Sequence, residues 1–139
     1  MLIVDAGPLV AAALSRTDEH RACRDLLQSH PGPLIVPEPV LCEAAYLLGR
    51  RLGAKAEAIF ARSIAKRELT VEPMATDEWG RVAELVETYA DLPLGIVDAS
   101  VVTLCERFGE TKLATLDRRH FSVVRPRHCE TFELLPRLG

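Results

Sequence analysis

Three short apolar runs in this chain end on, or enclose, an aspartate, and that combination leaves few folds open. Leu2-Ile3-Val4 runs into Asp5, and Leu113-Ala114-Thr115-Leu116 runs into Asp117. Leu94-Gly95-Ile96-Val97 is followed by Asp98 and then by Ala99-Ser100-Val101-Val102. A continuous run of aliphatic and β-branched residues suits a strand covered on both faces, as in parallel sheets. A lone carboxylate carried into such surroundings is costly unless something compensates it. A fourth acid, Glu43, lies inside Val40-Leu41-Cys42-Glu43-Ala44-Ala45-Tyr46-Leu47-Leu48. The expectation is that these four acids meet in space around a divalent metal.

Read in order, the chain alternates strand and helix signals. Strands are expected at 2–4, 34–36, 69–72 and 113–116, with a short edge strand over Phe132-Glu133-Leu134-Leu135. Pro8 suits the first turn of a helix after Asp5, Thr17 and Thr76 read as caps of later helices, and Gly53 and Gly109 read as stops. On the helix after the second strand, Val40, Tyr46 and Leu47 neighbour Glu43 at helical spacing, which points Glu43 toward the core. Asp98 falls in the first turn of a helix with Val101 and Val102 beside it. The fold class is therefore α/β, a central parallel sheet of four to five short strands with helices on both faces and right-handed crossovers. The ligand crevice of such a sheet lies at the carboxyl ends of its strands, where Asp5 and Asp117 fall.

A chain of 139 residues is expected to form a single domain, 1–139, with a core that needs no staples. No apolar run approaches the roughly 20 residues of a membrane helix, and no basic segment precedes an apolar leader, so a cytoplasmic protein is expected. Cys23, Cys42, Cys105 and Cys129 are far apart with no Cys-x-x-Cys pair, so neither a zinc knuckle nor a disulfide framework is indicated and reduced, mostly buried thiols are expected. The net charge of −3 is unusual for a nucleic-acid binder, but setting aside the four suspected acids leaves 17 basic against 16 acidic residues. An acidic cluster offset by a bound ion is thus compatible with a polyanionic substrate.

Four carboxylates held together repel and raise one another's pKa values unless they share a cation. With no His or Cys in the set, hard oxygen ligands select Mg²⁺, with Mn²⁺ as its substitute. Asp5, Asp98 and Asp117 are the expected metal ligands.

In this order and spacing, Val4-Asp5-Ala6-Gly7-Pro8-Leu9, Glu43, Val97-Asp98-Ala99-Ser100 and Thr115-Leu116-Asp117-Arg118-Arg119-His120-Phe121 resemble the PIN domains, and among them the stand-alone VapC-type toxins of prokaryotic toxin–antitoxin pairs. The resemblance covers nearly the whole chain and implies a Mg²⁺-dependent ribonuclease, usually dimeric, whose partner is a small antitoxin. Asp5, Glu43, Asp98 and Asp117 match the family's catalytic acidic quartet. Many members carry Ser, Thr or Asn just after the first aspartate, and here Ala6 and Gly7 supply no such hydroxyl or amide. The expected chemistry is hydrolysis of single-stranded or loop RNA by metal-activated water, which Glu43 orients or deprotonates.

Rival readings are a catalytically silent module on the same fold and an aspartyl-phosphate phosphatase or receiver. The phosphatase wants a second acid where Gly7 stands, and the receiver wants paired acids near Asp5 that are missing. Asp91 reads as a turn residue. Arg118, Arg119 and His120 read equally as phosphate contacts or as solvated surface, Tyr46 and Trp79 as core or interface, and His20, His30 and His128 carry no assignment.

Overall fold

A computed structural model describes residues 1–137. Its elements are β1 (Leu2–Val4), α1 (Ala6–Ala13), α2 (His20–Ser29), β2 (Leu34–Pro37), α3 (Glu38–Leu52), α4 (Ala54–Ala65), β3 (Thr70–Glu72), α5 (Glu78–Thr88), α6 (Gly95–Phe108), β4 (Lys112–Ala114), α7 (Arg118–Phe121) and β5 (Glu133–Leu135). The five strands form one sheet in the order β3-β2-β1-β4-β5, every pair parallel. Leu2, Ile3 and Val4 are wholly buried. Because successive strand residues point to opposite faces, both faces of the sheet's centre must be covered. The edge strands β3 and β5 are only partly buried and carry Thr70, Glu72 and Glu133. Helix α1 packs on α2 and α3, α3 on α4, and α5 on α6.

The expected strands are present, though β4 stops at Ala114 rather than Leu116. Two caps differ. Helix α2 begins at His20, and the Thr17 hydroxyl instead donates to the Leu14 carbonyl, closing the end of α1. Helix α5 begins at Glu78 after Asp77, with no side-chain cap from Thr76; the Glu78 carboxylate instead reaches back to accept from the Ala75 N–H at 2.8 Å. Gly95, at φ 74°, turns the chain into α6 through a left-handed conformation that other residues resist, and Gly109, at φ 62°, ends it. All four cysteines are free; Cys23 and Cys105 are buried, whereas Cys42 is exposed. Among the described residues no helix is long and apolar enough to cross a membrane.

Candidate active site

From β1 the chain steps to β2 and β3 on one side and returns to β4 and β5 on the other. The strand order therefore reverses between β1 and β4, and at such a switch point the connections leave in opposite directions and open a crevice at the carboxyl ends. Asp5 is the first residue beyond β1 and the N-cap of α1. Asp117, three residues beyond β4, is the N-cap of α7. Asp98 comes from the first turn of α6.

Thr115 ties two of these acids together. Its hydroxyl donates to Asp5 Oδ2 at 2.8 Å and accepts from the Asp117 N–H at 3.0 Å. The main chain continues the ladder past the strand ends, since Asp5 N–H donates to Ala114 O and Thr115 N–H to Leu135 O, each at 2.9 Å. Thr115 is wholly buried and Asp5 nearly so. On the other side of the crevice His120 Nδ1 lies 2.7 Å from Asp98 Oδ2 and 3.0 Å from Asp117 Oδ2, while its main-chain N–H donates to Asp117 Oδ1 at 3.0 Å. Asp98, Asp117 and His120 each offer a ligand atom within 4.8 Å of the others.

The electrostatics report crowding. Burial raises the pKa of Asp5 against the lowering effect of its bonds from Thr115 and the Ala6 N–H, and the charge of Asp117 adds to the rise. Burial likewise pushes Asp98 up to about 6; the His120 hydrogen bond opposes this, while the charges of Asp5 and Asp117 reinforce it. Glu43 is also raised, by partial desolvation first and by the charge of Asp5 second. All four acids thus belong to one electrostatic neighbourhood. Carboxylates kept this close, with Thr115 the only side-chain donor to Asp5 among the described residues, suit a divalent cation: hard oxygens to bind it, and mutual repulsion that it would relieve.

Three readings of the sequence change here. Glu43 does not face the core: the buried stripe of α3 runs through Val40, Ala44 and Leu48, so Glu43, one position round the helix, is exposed on the rim with Tyr46. The side chains gathered there are not carboxylates alone, since His120 stands among them. The missing hydroxyl after Asp5 has a substitute from another element, Thr115. Both overlooked residues leave a signal. Thr115 lies two positions before Asp117, and His120 stands three beyond it, the spacing at which a cap's side chain meets a main-chain N–H. Of the neighbouring residues, the Arg118 guanidinium donates to the Pro136 carbonyl, Arg119 and Asp91 are exposed, and Trp79 is exposed rather than core.

Comparison with known proteins places this crevice in context. The profile of the PIN domain matches residues 2–125. The ribonuclease VapC26 of Mycobacterium tuberculosis is 32% identical over 135 residues, which is 97% of this chain and 100% of that protein. Among solved structures, the M. tuberculosis toxin VapC20, described as cleaving the sarcin-ricin loop, superposes with a TM-score of 0.75 at 22% identity, covering 81% of this chain and 87% of that one. VapBC2 of Rickettsia felis, solved bound to a DNA fragment from its promoter, gives 0.68 at 13% identity, covering 97% and 98% respectively.

Proposed function

The chain belongs to the PIN-domain family, and from that premise we propose that it is a divalent-metal-dependent ribonuclease, with Mg²⁺ or Mn²⁺ the ion, acting as the toxin of a toxin–antitoxin pair. The observation that carries the reading is the convergence of Asp5, Asp98 and Asp117 at the β1/β4 switch point, with Glu43 on the rim. Asp5, Asp98 and Asp117 would hold the ion. When bound, it supplies positive charge to the phosphate and leaving oxygen and makes water more acidic. Thr115 keeps Asp5 and Asp117 in register, so that neither carboxylate has to reorganise when substrate arrives. Glu43, reached by solvent and with its proton affinity raised, orients the attacking water or accepts its proton. RNA in single-stranded or loop form is the substrate class, because a strand must be splayed for its phosphodiester to enter the crevice. A small antitoxin as partner and a cytoplasmic location accompany this reading, on the strength of the relatives named as a ribonuclease and as a toxin.

The test is purified protein with and without Mg²⁺ or Mn²⁺. The expected outcome is a metal-dependent rise in melting temperature and EDTA-sensitive cleavage of structured RNA, both absent from Asp5→Asn/Asp98→Asn. Full metal stabilisation of the folded double variant would place the ion elsewhere, cleavage by it would end the assignment of the chemistry to Asp5 and Asp98, and no cleavage by wild type with either metal would end the ribonuclease reading.

A further inference from the structure

The imidazole of His120 is held in one place from three sides. Its own main-chain N–H is tied to Asp117 Oδ1, the next residue, Phe121, is wholly buried and meets the Phe132 ring edge to face at 6.3 Å, and its Nδ1 lies against two carboxylate oxygens. That last arrangement is under-satisfied. Nδ1 can carry one proton, yet it stands 2.7 Å from Asp98 Oδ2 and 3.0 Å from Asp117 Oδ2, and the side chains of both His120 and Asp98 are less than a fifth exposed. One proton among three converging acceptor atoms serves at most one carboxylate well, so the cluster is short of a cation rather than of a hydrogen bond. The same separations suit neighbouring ligands around a small octahedral ion, which at bond lengths of about 2.1 Å lie roughly 3 Å apart.

Resting on the ribonuclease reading, we propose that His120 Nδ1 is a direct ligand of the ion together with Asp98 and Asp117, and that this nitrogen makes the site prefer Mn²⁺ to Mg²⁺. Mg²⁺ gains little from imidazole, whereas affinity at mixed nitrogen and oxygen sites rises along the transition series. The alternative, a histidine that fills the cluster only when no metal is bound, would have to be expelled by the ion, and its loss would then strengthen both metals alike.

The experiment is electron spin-echo spectroscopy of the Mn²⁺-loaded full chain, with natural and ¹⁵N-histidine labelling, beside calorimetric titration of Mn²⁺ and of Mg²⁺. The expected result is a directly bound nitrogen signal that follows the histidine label and vanishes in His120→Ala, with Mn²⁺ affinity falling on the order of tenfold or more and Mg²⁺ affinity little changed. Wild-type protein whose bound Mn²⁺ shows no histidine nitrogen overturns the assignment, as does a His120→Ala variant that binds both ions more tightly. Because the spectrum is read on wild type, a poorly folding variant does not rescue the idea. Asp98→Asn and Asp117→Asn separate this from the premise: loss of Mn²⁺ binding in both, without a nitrogen signal in wild type, leaves the acidic site standing and removes His120 alone, whereas unchanged Mn²⁺ binding in both removes the acidic site and His120 with it.

Discussion

Asp98 carries part of the cost of the site. A carboxyl raised from an unfolded value near 3.8 to about 6 takes up a proton on folding between those two values. In metal-free protein its contribution to stability is therefore fully present below the unfolded value and is lost as pH rises through about 6. Unfolding followed in EDTA across this range should show stability falling with rising pH, and Asp98→Asn should flatten that segment and melt above wild type near neutrality. The asparagine keeps an oxygen that can accept from His120 but removes a charge crowded by Asp5 and Asp117. The same change should abolish RNA cleavage while stability holds. A variant less stable than wild type at every pH would instead mean that the ionised form is welcome there, and would contradict the burial argument.

At the scale of elements, Thr115 joins β1 to the β4–α7 turn across 110 residues of sequence, and few single hydroxyls link so much. Thr115→Val keeps the shape and removes both bonds; it should lower stability by about 1–3 kcal/mol, the cost of stranding a buried polar partner, and blunt the melting-temperature response to Mn²⁺. Thr115→Ser should restore both, and undiminished metal response in Thr115→Val would show that the stitch does not matter. The close approach of α1 to this turn leaves little slack, since a Cβ added at Gly7 would meet Leu116 Cβ at 3.2 Å. The strands, their parallel sense and the aspartates at their ends were legible in the chain, because short β-branched runs such as Leu2-Ile3-Val4, bounded by turn signals and alternating with helical patterns, suit a doubly covered sheet. The positions of Glu43, Thr115 and His120 were not. Helical spacing places a residue near a face but does not say whether the buried stripe passes through Glu43 or through Ala44 beside it. A hydroxyl's partner 110 residues away is decided by strand order, which local pattern leaves open. The caps at Thr17 and Thr76 misled because helix starts fall one to two residues further on, and the Thr17 hydroxyl serves the preceding Leu14 carbonyl instead.

Over the whole molecule, part of the basic charge is tied up in ion pairs. Arg81 grips Glu106 with two bonds of 2.9 and 2.8 Å, Arg107 binds Glu72 and Glu78, Arg127 reaches Glu84, and Arg137 reaches Glu133. With a net charge of −3, one chain has no surplus of positive charge to offer a polyanion at the acidic crevice, and we propose a two-fold dimer that pools Arg and Lys from both copies. Sedimentation at micromolar concentration should report that dimer, and a monomer there would count against it. The sheet order carries one more consequence. β1 is made early and sits at the centre, but one of its edges waits for β4, and Asp5 waits for Thr115 and Asp117. During translation the chain therefore passes most of its synthesis with an open strand edge and with its acids apart. The proposed metal site is therefore assembled only once β4 and the α7 turn have emerged.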